Sequence, residues 1–394
     1  MKFDSQTYQL SEASGQGKRL IIAGIVVMMV SALGYFIDSA QFYFSYLIAY
    51  VFWVSIGLGA LFFVMLQHLT GAVWSLVLRR LTESIMIVLP YMFILFLPIV
   101  FGMHELYHWS RPEVVQQDAL ISQKTGYLNV PFFLIRNAIY FTSWFLIARA
   151  LYKTSIAQDQ KPDHSQITTM RKVSAPGMVV FAITTSFAAF DWLMSLDAHW
   201  FSTIFGLYFF AGGFLSALAG TTLISILLAK QGVLQDVITR EHYHDLGKLL
   251  FGFVIFWGYM AFSQYFLIWY ANIPEETIWY LHRWEGSWKI FSLTLVFGHF
   301  LIPFLLLMGR SFKRNLTLLS LLSAWILIMH WIDLYWIAMP VHHHHGIHLS
   351  WLDFTLLGGM GAVFLGIFWQ YFSSKRIVPI GEQELDRSIQ FINN

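Results

Sequence analysis

The chain has no cysteine among its 394 residues. That absence removes disulfides, thiolate-bound iron-sulfur clusters, thioether-linked haem and thiol nucleophiles together. Charge is scarce as well: Asp, Glu, Lys and Arg make up 12% of the residues, against 57% apolar and 18% aromatic, too little to cover the surface of a soluble protein. Period-two alternation is missing, which excludes a transmembrane β-barrel. There is no phosphate-binding glycine loop, nucleophile triad or basic stripe, so no nucleic-acid partner is expected.

What the sequence does contain is a series of apolar runs, each close to the ~20 residues a helix needs to cross ~30 Å of hydrocarbon. Ten are placed near 20–37, 45–67, 84–103, 130–152, 176–194, 203–229, 246–271, 287–309, 315–339 and 350–372. The expected fold is all-α and polytopic. The polar start, 1–19, is followed by no small-residue cleavage site, so the first run is expected to be a retained helix. No extramembrane segment is long enough to fold alone, which makes 1–394 a single membrane domain with tails at 1–19 and 373–394. Seventeen of the 24 Lys and Arg residues fall in one set of alternate segments: at the start, at Arg79 and Arg80, and near 153–172, 230–240, 310–314 and 375–387. The other loops hold Arg111, Lys124 and Arg283. The positive-inside rule then puts both termini in the cytoplasm.

Charged groups at bilayer depth cost about 2.5–3.5 kcal/mol on insertion scales, so each needs a partner, a water-filled cavity or a task. His68 and Glu83 fall near the cytoplasmic ends of their spans, as do Asp245 and Lys248. Arg136 and Asp191 share the outer third and are placed to pair. His299 lies near the midplane of the eighth run, and His330 and Asp333, three apart, share a face of the ninth. His68, Glu83, Arg136, Asp191, Lys248, His299, His330 and Asp333 together form a candidate proton pathway. The competing readings are a static ion pair for Arg136 with Asp191, hydrogen bonds across helix interfaces for the histidines, and solvated first-turn residues for Glu83, Asp245 and Asp353.

A weaker candidate for a quinone-binding site is the outer-face set His104, Tyr107, His108, Asp197 and His199, with Asp191, Trp192 and Trp200 near it; an aromatic interface belt with a docking loop competes with that reading. No span carries two deep histidines, so no intrinsic haem is expected. The run His342, His343, His344 and His345 reads as a solvated loop and is assigned no metal. Glycines in "FWVSIGLGALFF" and "FFAGGFLSALAGTT" fit close helix packing.

The strings "SYLIAYVFWVSIGLGALFFVMLQHLTGAVWSLVLRRLTE" from Ser45, "YLNVPFFLIRNAIYF" from Tyr127, "SFAAFDWLMSLDAHWFSTIFGLYFFAGGFLSAL" from Ser186, "HDLGKLLFGFVIFWGYMAFSQYFLIWYANIPEETIWYLHRWEGSW" from His244 and "MHWIDLYWIAMP" from Met329 resemble the NrfD/PsrC-like membrane subunits of bacterial alternative complex III. The resemblance covers most of the chain. It implies two four-helix bundles, 45–194 and 203–339, flanked by the first span and by the last at 350–372, in the bacterial inner membrane. It also implies that the redox centres lie on partners: c-type haems on multihaem cytochromes c, iron-sulfur clusters on an iron-sulfur protein, and oxidation of quinol or menaquinol by a sister NrfD-like subunit, with electrons passing to a cytochrome c or a terminal oxidase. The expected function is a membrane subunit without a redox centre, contributing a proton pathway and an assembly surface within the lipid bilayer. The alternatives are a subunit that itself binds and oxidises quinol, a purely structural scaffold, and a stand-alone secondary transporter. The last is disfavoured because only Pro90, Pro98 and Pro303 interrupt the spans.

Overall fold

A computed structural model describes residues 2–4, 8–11, 14–161 and 163–392. Among these the chain is an all-α, multi-pass membrane protein with ten long apolar spans: α1 (Gly15–Phe36), α2 (Ser39–Thr70), α3 (Leu76–Phe101), α4 (Val130–Gln160), α5 (His164–Leu196), α6 (Phe205–Lys230), α7 (Arg240–Ala271), α8 (Trp288–Met308), α9 (Leu316–Val341) and α10 (Trp351–Ser373). With ten crossings, both termini lie on one side, here the terminal face; the opposite side is the loop face.

Local chemistry sets the helix ends. The side chains of Asp38, Asn129, Asp163 and Asn315 accept first-turn amides of α2, α4, α5 and α9, and Ser350 with Asp353 forms a capping box at α10, satisfying amides that a helix cannot pair internally. Gly71, at φ 62°, closes α2 in the left-handed region. Three helices outrun their apolar text. α4 continues to Gln160, α5 begins at His164 and α7 at Arg240, because polar turns beyond the hydrocarbon stay helical until a cap intervenes.

Two spans are irregular. α3 is stepped at Ile87 and Val88, just before Pro90, with both residues still in right-handed helical conformation. α8 passes through a π-helical turn over Leu295–Leu301 ahead of Pro303. The proline ring cannot donate to, and clashes with, the carbonyl one turn back, and a wider turn relieves both problems.

α2, α3, α4 and α5 close into one ring of neighbours, and α6, α7, α8 and α9 into a second. The rings meet where α6 packs on α2 and α5, and where α9 touches α2. α10 lies against α2 and α3, and α1 packs along α10. Small residues allow these approaches: a Cβ on Gly59 would come 2.5 Å from the Ala217 Cβ and 2.8 Å from the Gly213 carbonyl, and one on Gly24 would come 2.5 Å from the Gly359 carbonyl.

Neither expected tail is simply a free polar end. Lys2–Asp4 pairs antiparallel with Gln9–Ser11, and the helix containing α1 starts at Ser14. The segment after α10 is a strap across both bundles. Glu382 pairs with Arg79, the Gly381 amide donates to Asp159 (3.2 Å), the Ile377 amide to the Tyr8 carbonyl (3.0 Å), and the His242 ring to the Ser388 carbonyl (2.9 Å). The histidine run is not uniformly solvated either. His342 stacks on Phe44 at 5.1 Å and His343 Nε2 lies 2.6 Å from Gln41 Oε1, both half-buried, while His344 and His345 are exposed.

Candidate functional site

His330 and Asp333 project from α9 into the seam between the bundles. Asp333 accepts from the Tyr208 hydroxyl of α6 and from Trp257 Nε1 of α7 (3.3 Å). The same indole stacks on His299 of α8, with ring centroids 3.9 Å apart. His330 Nε2 lies 2.9 Å from Ser55 Oγ of α2. Because the Ser55 hydroxyl donates to the Phe52 carbonyl (2.9 Å), it accepts from His330, which fixes the proton on Nε2. A Cβ on Gly212 would sit 3.2 Å from His330 Nδ1, so the glycine makes room for the ring.

His299, His330 and Asp333 are all buried, as are Tyr208, Trp257 and Ser55. His330 Nδ1 and both ring nitrogens of His299 make no hydrogen bond among the described residues. Buried polar atoms are normally paired, and unpaired imidazole nitrogens in the same cluster as a carboxyl are suited to taking up and passing a proton. The arrangement therefore gathers side chains from five helices of both bundles, and among them a carboxyl, a phenol, a hydroxyl and two imidazoles are capable of proton transfer. Sequence reasoning found His299, His330 and Asp333 but missed Ser55, Tyr208 and Trp257. A serine and two aromatics carry no signal in a chain so rich in both.

The remaining pathway candidates lie elsewhere. Arg136 grips Asp191 with Nε to Oδ2 at 2.9 Å and Nη2 to Oδ1 at 2.8 Å, and Tyr140 donates to the same carboxylate at 2.8 Å. Arg136 Nη1 reaches the Tyr127 carbonyl (2.9 Å), and the guanidinium lies 3.8 Å from the centre of the Tyr127 ring. Such a bidentate, closed pair is a clamp between α4 and α5. Glu83 is not a solvated first-turn residue: it is fully buried against Arg80 (2.8 Å), which also holds Asp159 (2.7 Å). Beside it Arg79 binds Glu382, so two arginines expected in a loop belong to a buried ionic network. His68 is buried, its Nε2 makes no hydrogen bond among the described residues, and its carbonyl accepts from Arg171 (3.2 Å). It stands about 20 Å along α2 from Ser55. Lys248 pairs with Asp245 (2.6 Å) and is half exposed, about 14 Å along α7 from Trp257, outside the seam cluster. Asp353 is a first-turn residue but is also buried, accepting from Ser45 Oγ (2.5 Å).

On the loop face, the quinone-site candidates divide. His108, Asp197 and His199 line one cavity of about 190 Å³, together with His282, Arg283 and His344. His104 and Tyr107 do not line it. His104 is exposed and bonded to Ser110 (3.0 Å), while Tyr107 is sealed in the core, its hydroxyl donating to the Trp192 carbonyl (3.1 Å). His199 Nε2 lies 2.6 Å from Asp118 Oδ2. Burial pushes His108 below the usual histidine range, reinforced by Arg111.

Arg283, which the sequence presents only as a loop cation, is buried at this cavity. It donates to the carbonyls of Trp336 (3.0 Å), Trp279 (2.8 Å) and Ile337 (2.6 Å) and sits 3.3 Å from the centre of the Trp279 ring. Burial pulls its guanidinium down to about 9 against the opposing pull of Asp197, leaving it charged at neutral pH. No protein-family model and no curated protein matches this sequence.

Proposed function

We propose that the chain is a membrane subunit of a quinol-oxidising respiratory complex, similar to the NrfD/PsrC-like subunits of bacterial alternative complex III, and that it carries part of a proton pathway through the seam between its bundles. The supporting observation is the Asp333, Tyr208, Trp257, His299, His330 and Ser55 cluster. A carboxyl and two imidazoles buried in a membrane span are costly, and apolar replacements of buried polar groups often leave a fold as stable or more so. Packing alone therefore does not account for them. In this reading c-type haems and iron-sulfur clusters reside on partner cytochromes c and an iron-sulfur protein, a sister subunit oxidises quinol or menaquinol, and a terminal oxidase takes the electrons. The basic residues of the terminal face support its facing the cytoplasm of a bacterial inner membrane.

The test begins with purification of the tagged chain from its native membrane. Co-purifying c-type haem and a large iron-sulfur protein are expected; a colourless chain purifying alone overturns the assignment. In reconstituted complexes, Asp333→Asn and His330→Gln are expected to keep haem content and quinol oxidation while lowering proton output at least about tenfold.

A second reading has this subunit bind the quinol head group itself. The loop-face cavity supports it, since His108, His199 and Arg283 offer hydrogen-bonding groups beside apolar walls of Ile121, Leu196, Pro340 and Val341. Its about 190 Å³ is smaller than the roughly 300–1,000 Å³ of ordinary ligand pockets, enough for a ring but not for its tail. His199→Gln would then weaken quinone-analogue binding while Asp333→Asn would not. A stand-alone transporter gains no support from the irregular spans, because the step in α3 and the π-turn in α8 remain helical rather than unwound.

A further inference from the structure

On the terminal face, a cavity of about 310 Å³ opens where α6 ends and α7 begins. Its polar walls are Lys230, Gln235, Thr239, Arg240 and Tyr243. Ile226, Ala229, Ile238 and Leu316 form the rest. Three features of different origin converge on it.

The first is charge. Lys230 and Arg240 make no ion pair among the described residues, whereas neighbouring Arg314 is taken by Glu241 (2.6 Å). Asp236, the acid of the connecting loop, does not line the cavity. The second is the start of α7, a 32-residue helix. Its capping box uses the Thr239 side chain for the amide of the third residue, and the His242 ring accepts the Thr239 amide (3.0 Å). The amides of Arg240 and Glu241 have no partner within the helix, and the positive end of the helix dipole lies here. The third is Tyr243, 1% exposed, whose hydroxyl has no well-formed hydrogen bond among the described residues and only Ser225 within reach. It lies near Ser225, whose own hydroxyl donates to the Thr222 carbonyl (2.9 Å). A buried phenol with only a loosely placed serine as acceptor, in the wall of a cationic cavity, can turn its donor to a ligand oxygen.

We propose that this cavity binds a phosphate group at the membrane interface. Two cations, helix amides and a hydroxyl form the usual donor set for a phosphate. The apolar wall and the lipid-exposed Leu227, Leu318 and Leu321 just inside it continue the site towards acyl-chain depth, as an anionic phospholipid would need; free phosphate would use the same polar wall. Juxtamembrane basic residues interact with anionic headgroups in this way.

The test uses the full chain, purified and placed in nanodiscs of phosphatidylcholine alone, of phosphatidylcholine with an equal amount of phosphatidylglycerol, or of phosphatidylcholine with added inorganic phosphate. Retained lipid is measured by native mass spectrometry and stabilisation by thermal unfolding. Wild type is expected to retain phosphatidylglycerol and to be stabilised by it. Lys230→Gln with Arg240→Gln is expected to weaken retention by about tenfold or more, and Tyr243→Phe, which preserves the packing, by several-fold. Lys172→Gln, an exposed cation elsewhere on the same face, is expected to leave it unchanged. Stabilisation by inorganic phosphate in phosphatidylcholine, lost in the same variants, supports the site with free phosphate as its occupant. No response to either, or equal loss in Lys172→Gln, overturns the proposal. The result stands or falls independently of proton output through Asp333.

Discussion

A buried charge is only as stable as the pairing around it, and Arg136 with Asp191 shows how that decides between clamp and relay. Both carboxylate oxygens of Asp191 and all three guanidinium nitrogens of Arg136 are engaged, so removing one partner strands the other. Arg136→Met alone is expected to destabilise the chain by about 3–5 kcal/mol, and adding Asp191→Leu to recover most of that loss, read from thermal unfolding in detergent. Unchanged proton output from the folded double variant fits a clamp; a fall would restore the pair to the pathway. His343 makes a different case, because its environment opposes charge. Burial first, then His342 and His348, lowers it from the ordinary 6.5 to about 4. Between those values the unfolded chain binds more protons, so stability rises with pH across the window and is lost as pH falls through it. His343→Gln is expected to flatten the pH dependence of unfolding between about 6.5 and 4; an unaltered slope would show that other groups carry it. His330 and Asp333 were legible because three-residue spacing puts them on one face. Ser55 was not, since its role depends on a histidine 275 positions away.

At the scale of elements, hydropathy located all ten spans because the length of an apolar run is fixed by the bilayer. It could not locate where α5 begins. The residues from His164 to Ala175 are polar enough to read as a loop, and only the cap at Asp163 marks the true start. Charge statistics misread Arg79, Arg80 and Glu83 in a related way: topology accounts for a basic pair at a helix end, but only tertiary contact with Asp159 and Glu382 shows it buried. α1 depends on one face, the seam with α10 where Gly17, Gly24, Gly359 and Gly366 permit backbone approach. Gly24→Leu is expected to detach α1 while both bundles persist. Proteolysis would then be faster within 15–36, with little change in the unfolding midpoint of the rest. Gly15→Leu, where nothing lies within 4 Å of a built Cβ, is the matched control, and equal sensitivity in both would remove the argument for close packing.

Taken as a whole, the molecule is two rings of four helices joined at a seam whose tightest contacts are made by the first helix of each. By the parity of the spans, α2 and α6 both run from the loop face to the terminal face, so the rings are parallel in sense. They approach through Gly59, Gly213 and Ala217, and the Ser55 to His330 contact crosses the seam beside them. Without a hydrophobic drive between helices in lipid, close packing has to hold such a seam together. A side chain at Gly59 would meet the Gly213 carbonyl rather than a yielding side-chain tip, and backbone cannot move aside locally. Gly59→Leu is therefore expected to part the bundles, seen as loss of a monodisperse peak in size exclusion and, in any folded fraction, loss of proton output with the seam contact. Gly252→Leu, on the exposed side of α7 with nothing within 4 Å, is expected to behave as wild type. If Gly59→Leu were tolerated with both properties intact, the two bundles would have to be held by the terminal strap and α10 instead, and the seam would no longer be the element on which stability and the proposed proton path jointly depend.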